Sequence, residues 1–114
     1  MKINEWADGV DFAITICDST GIITFMNDKS VDIFSDDGGR NLIGQNLLDC
    51  HPEPSRSHLD NMLKIPFRNV YTIEKNGKKK IIYQEPIYID ARFVGIAELS
   101  MEIPFDMPHF IRKS

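Results

Sequence analysis

The chain has 114 residues, 42% of them hydrophobic and 26% charged, with a net charge of −4. That length holds one domain with its own core and not two, and this balance excludes extended disorder. The acidic net charge argues against a nucleic-acid or anionic-membrane surface, and Cys17 and Cys50 stand far apart with no CxxC, which argues against a zinc site.

The first residues, MKINEWADGVDF, are acidic and lack an apolar stretch. No signal peptide or membrane span is therefore expected, and the expected location is the cytoplasm. Ile3, Trp6, Ala7 and Val10 recur at helical spacing, which predicts a short amphipathic helix within residues 1–12, weakened by Gly9. AITICD, residues 13–18, is apolar and β-branched and predicts a strand. Ser19-Thr20-Gly21 turns the chain into a second strand, IITFM, to make a hairpin.

Asn27 stands where a helix N-cap belongs, ahead of a helix that carries Val31 and Phe34 on one face. Asp36-Asp37-Gly38-Gly39 ends that helix. Residues 41–49 place Leu42, Ile43, Leu47 and Leu48 in short helical turns broken at Gly44. From Pro54 the pattern is helical again: Ser55, His58, Leu59, Met62 and Leu63 form one stripe, and Pro66 stops it. Residues 70–75 predict a strand, and Asn76-Gly77 a two-residue hairpin. Lys78-Lys79-Lys80 reads as its solvated tip. Residues 80–89 form the next strand, where Pro86 implies an edge position or a bulge. Asp90-Ala91-Arg92 turns the chain into the last strand, 93–103, and residues 104–114 form an extended tail.

Two strands, several short helices and three strands joined by tight turns predict an α+β domain with an antiparallel sheet over residues 13–103. The last two strands carry few polar residues on either face. The helices can cover only one face, so the N-terminal helix, the tail or a second copy has to cover the other.

In this order the motifs resemble a PAS domain. AITICDSTGIITFMN resembles the family's opening hairpin, with Asp18, Gly21 and Asn27 in place. LIGQNLLDCHP resembles its central glycine-to-proline segment, and PIYIDARFVGIAELSMEI its closing strands, with Gly95 matching. The DCHP run and the GIAEL ending are similar to PAS modules of anaerobic bacteria. The resemblance implies a five-stranded antiparallel sheet of spatial order 2-1-5-4-3, with short helices on one face enclosing a pocket. It also implies a sensor and interaction module, commonly dimeric.

The ligand is then sought between the helix near residues 55–63 and the sheet. The expected lining is Phe34, Leu48, His58, Leu59, Met62 and Tyr83. Haem is one possibility, because HPEPSRSHLD is similar to a stretch of the oxygen-sensing haem kinases of rhizobia. Aligned through Pro52-Glu53-Pro54 and Asp60, however, their proximal histidine falls on Leu59, with His58 beside it. One residue is about 100° of helix rotation. A haem would have to be held by His58 in a shifted pose. A flavin is not expected, since GQNLLDCHP puts Leu47 where flavin photosensors carry their reactive cysteine.

Cys50 and His51 admit two readings. One is a redox-sensitive thiolate beside an imidazole. The other is a small buried hydrophobe next to a histidine that structures a turn. The second is preferred, because adjacent side chains do not face each other. No GxSxG, P-loop or GxGxxG is present, so no enzyme is expected. The expected function is sensing of a small molecule, with signalling through a homodimer or a partner protein in trans. The competing reading is a ligand-free interaction module whose own side chains fill the pocket.

Overall fold

The computed structural model describes residues 4–114. Ile3 of the expected N-terminal helix lies outside them; the described helix, α1, spans Glu5–Gly9. The strands are β1 (Ala13–Asp18), β2 (Ile23–Met26), β3 (Asn69–Lys75), β4 (Lys78–Ile89) and β5 (Arg92–Ile103). They form one antiparallel sheet in the order β2-β1-β5-β4-β3. The helices α2 (Asp28–Ile33) and α3 (Ser55–Lys64), with 3₁₀ turns at Ser35–Asp37, Gly39–Leu42 and Leu47–Cys50, lie in the connection between β2 and β3.

Each corner has a local cause. Asp18 turns β1 into β2: its Oδ1 accepts from the Thr20 hydroxyl at 2.7 Å and from the amides of Thr20 and Ile22 at 2.9 and 3.0 Å. Those donors, the Thr20 hydroxyl first, hold its carboxyl below the usual carboxylate range. Asn76 and Gly77 both have positive φ, 54° and 75°, as a two-residue hairpin turn requires. The β4–β5 corner has the same form at Asp90 and Ala91, with φ of 51° and 63°. An alanine there is strained, since left-handed backbone crowds its Cβ.

Asn27 does more than cap α2. Its Oδ1 accepts from Ser30 N and Ile14 N, both at 2.9 Å, and its Nδ2 donates to the carbonyls of Ala7 and Phe12 at 2.7 and 2.9 Å. One fully buried amide thus ties α1, β1 and α2 together. All four hydrogen-bonding positions of the side chain are used.

The core lies between the helical layer and the inner face of the sheet, where Cys17, Ile23 and Ile96 meet Leu42, Leu47, Leu59 and Met62. Gly95 stands opposite Asp18 in the β1–β5 ladder, and a Cβ there would overlap the Cys17 carbonyl oxygen. Pro86 is tolerated because β3 ends its pairing at Asn69–Gln84, leaving β4 beyond that point without a β3 partner, and a bulge follows at Ile87–Tyr88.

On the outer face the register aligns Ile16 with Phe25, Tyr83 with Leu99, and Ile81 with Met101. These side chains are half-buried. Helix α1 packs on α2, and Phe105, Met107, Phe110 and Ile111 of the tail are exposed.

Candidate functional site

A cleft of about 470 Å³ opens between the helical layer and the β3–β4–β5 side of the inner face. Ile33 and Phe34 at the end of α2 form one wall with Asp37; Cys50, His51, Pro52 and Ser55 form the second. The sheet supplies the floor: Tyr71, Ile73 and Lys75 from β3, Lys80 and Ile82 from β4, Glu98 and Ser100 from β5. Pairing explains why these side chains share a face, since Tyr71 stands opposite Ile82, Ile73 opposite Lys80, and Ile82 opposite Ser100.

At the inner end a chain of buried polar groups crosses three strands and reaches the loop. Asn69 Nδ2 donates to Gln84 Oε1 at 2.9 Å, and Gln84 Nε2 donates to Glu98 Oε2 at 2.8 Å. His51 Nε2 lies 3.0 Å from the same carboxylate oxygen, and its Nδ1 lies 3.0 Å from the Leu47 carbonyl. The side chains of His51 and Glu98 are only 8% and 6% exposed.

Both neighbours of the imidazole are acceptors, so the doubly protonated ring satisfies both. Burial works against that charge. The hydrogen bond and the attraction from Glu98, with the Leu47 carbonyl, outweigh it and raise the histidine above its ordinary value. The ion pair fastens the loop after the Leu47–Cys50 turn to the central part of the sheet. Tyr71 Oη accepts from Ser55 Oγ at 3.2 Å and joins β3 to the start of α3 in the same way.

Of the residues expected to line a pocket, Phe34 is on the cleft wall. Leu59 and Met62 are fully buried in the core, and Leu48 packs against its edge. Tyr83 is on the opposite face of the sheet, under the Arg68 guanidinium, which lies 5.7 Å from the ring centroid. It alternates with the inward Ile82 and Gln84, and only pairing with β5 sets that register. His58 is exposed and outside the cleft. The buried stripe of α3 is centred on Leu59 and Met62, and at about 100° per residue His58 stands a quarter-turn off it.

Cys50 and His51 are both on the wall. The thiol is not activated: burial first, then the carboxylates of Asp37, Asp49 and Glu98, raise it above its ordinary value. Lys80, expected at a solvated tip, is half-buried in the cleft instead. Glu98 and Tyr71 were not legible as site residues in the sequence. The one signal for Glu98 is a carboxylate in an otherwise apolar strand, GIAELSM.

The same architecture recurs in solved structures. The Aer2 receptor from Vibrio cholerae, described as a dual PAS-heme oxygen sensor, superposes with a TM-score of 0.64 at 13% identity, over 86% of this chain and 99% of that one. The PAS domain of Bordetella pertussis BvgS gives 0.59 at 19% identity, over 85% and 80%. This is the PAS fold. The sensor region of a sensor histidine kinase matches with a TM-score of 0.61 and 17% identity over 79% of this chain, which spans 38% of that longer one. No family model and no curated protein matches the chain.

The Vibrio cholerae receptor, described as a haem sensor, gives a specific comparison for this cleft. A histidine axial ligand has to point into the pocket with a free ring nitrogen. His51 is at the cleft with both nitrogens engaged, and His58 is outside it, so neither histidine is placed to ligate a haem there, and burial keeps the Cys50 thiol and the Tyr71 phenol protonated. Among the described residues no group of three or more His, Cys, Asp or Glu is arranged to hold a metal ion, and no helix is long and apolar enough to cross a membrane.

Proposed function

We propose that this PAS domain is a sensory module that binds a small molecule in the cleft and is not an enzyme. The observation that carries this reading is the cleft itself: about 470 Å³ bordered by a loop that a buried ion pair holds to the sheet. That volume is within the range of small-molecule sites, and its lining sets apolar side chains among convergent polar and charged groups. A ligand that contacts Glu98 or His51 competes with the contact fastening the loop, and so biases the position of residues 50–55 and the start of α3. The signal then leaves through contacts of the domain with a partner protein or a second copy, in the cytoplasm.

The test is a thermal-shift screen of a metabolite panel, followed by amide NMR of any hit. Shifts concentrated at Tyr71, Ile82, Glu98 and residues 50–55 support the reading. A panel that binds nowhere in the cleft overturns it.

A second reading, homodimerisation, is supported by the outer face of the sheet. Ile16, Phe25, Ile81, Tyr83, Leu99 and Met101 are only half-buried there, and Phe105, Met107, Phe110 and Ile111 of the tail are themselves exposed. Sedimentation of the chain and of Leu99→Glu tests it: a dimer that the substitution dissociates supports a sheet-face interface, and a monomer at all concentrations removes it.

A further inference from the structure

Resting on that reading of the cleft, we infer that its ligand is an amphipathic organic acid, with its carboxylate at the mouth, its apolar body across the middle and a hydrogen-bond donor at the inner end. Three separate features of the lining lead to this order of groups.

The mouth is basic. Lys75 and Lys80 both line the cleft, and among the described residues neither makes an ion pair. Lys80 stands opposite Glu102 across the β4–β5 ladder, but that carboxylate is taken by Lys78, whose Nζ lies 3.4 Å from it. Of the other charged groups lining the cleft, His51 and Glu98 neutralise each other, which leaves two amines against the single carboxylate of Asp37. A half-buried lysine without a partner favours an anion from outside.

The middle is apolar. Ile73 and Ile82 are neighbours on the sheet floor there, and Phe34 and Pro52 line the walls.

The inner end offers an acceptor. His51 and Gln84 both donate to Oε2 of Glu98, and among the described residues Oε1 of that carboxylate has no donor. A ligand N–H or O–H satisfies it, whereas a second anion there is repelled. Lys80 and Gln84, which mark the two ends on β4, are four residues apart, or roughly 13 Å at about 3.3 Å per residue. Side chains reaching inward from both ends shorten the gap to the length of an aryl-alkanoic acid.

The experiment is calorimetric titration of the full chain with 4-phenylbutyrate, its neutral amide 4-phenylbutanamide, 4-phenylbutylamine and 4-(4-aminophenyl)butyrate. The acid is expected to bind about tenfold more tightly than the amide, and the aminophenyl acid more tightly still. The double variant Lys75→Gln/Lys80→Gln is expected to lose the preference for acid over amide; the exposed Lys75→Gln alone, at a position with no ion pair to lose, halves it if the double variant does not fold. Equal binding of acid and amide, preference for the amine, or an acid preference that survives both variants overturns the assignment while leaving the cleft as a binding site. Failure of all four probes to bind overturns the acid assignment, while the metabolite screen decides the cleft reading separately.

Discussion

Replacing Glu98 by glutamine should invert the pH dependence of stability, and the geometry says why. In the native protein the carboxylate accepts from His51 Nε2 and from Gln84 Nε2 at one oxygen. Burial alone would strip the proton from His51, but Glu98 and the Leu47 carbonyl hold it, so the folded-state pKa is above the unfolded value of about 6.5. Between those two values the folded state binds more protons than the unfolded state. Stability is then complete below about pH 6.5 and falls as pH rises through the folded-state pKa. One proton sets the upper limit of the slope, about 1.4 kcal/mol per pH unit.

Glutamine at position 98 is nearly isosteric. Its carbonyl oxygen, placed where Oε2 was, can still accept from Gln84 Nε2 and from a neutral His51 protonated on Nε2. The attraction that opposed burial is then gone. The folded-state pKa drops, and stability in the variant should be flat or rise with pH. Urea unfolding followed by circular dichroism at pH 6.0, 6.5, 7.0 and 7.5, below the range where the thiols of Cys17 and Cys50 titrate, measures both slopes, and ring-nitrogen NMR of His51 reports its protonation directly. A wild-type slope that is flat or positive across this window, or an unchanged negative slope in Glu98→Gln, would refute the imidazolium–carboxylate pair.

Three further substitutions probe the frame of the site. Gly95→Ala should destabilise the domain by about 3 kcal/mol or more in urea titration, because the new Cβ meets the Cys17 carbonyl and forces β1 from β5; a loss under about 1 kcal/mol contradicts that close approach. Asn27→Ala removes four hydrogen bonds at once, three of them buried, and should cost on the order of 3–5 kcal/mol, well above the ~1 kcal/mol of a simple N-cap; a cap-sized loss would mean the amide does not tie α1 to β1. Ala91→Gly should stabilise by about 0.5–1 kcal/mol, since it relieves a left-handed alanine at an exposed turn, and an unchanged or lower unfolding midpoint would refute the strain.

The turn chemistry was legible in the sequence because turns are local. Asp18-Ser19-Thr20-Gly21 and Asn76-Gly77 are determined by atoms within four residues of one another, and they place β1 against β2 and β3 against β4 as antiparallel pairs. Apolar runs identified the strands, and helical spacing identified the buried stripe of α3 through Leu59 and Met62. The order 2-1-5-4-3 came from the resemblance of the motifs in sequence, not from the turns.

What the side chains do at the site was decided only by the assembled fold. Strand β4, KKKIIYQEPIYI, has no clean alternation, so either face was open to Tyr83 until pairing with β5 placed it outward and Gln84 inward. The same register brings Glu98 against Gln84 on one side, and the loop at His51 meets that carboxylate although 47 positions separate the pair. Asn27 shows the division within a single residue. Its bond to Ser30 N is local and visible as a helix cap, whereas its bonds to Ala7, Phe12 and Ile14 depend on where α1 and β1 come to rest. Hydrogen bonds within a few residues follow from the sequence. The buried charge pair, the face of an ambiguous strand and the partners left without a counter-charge exist only once distant segments pack together.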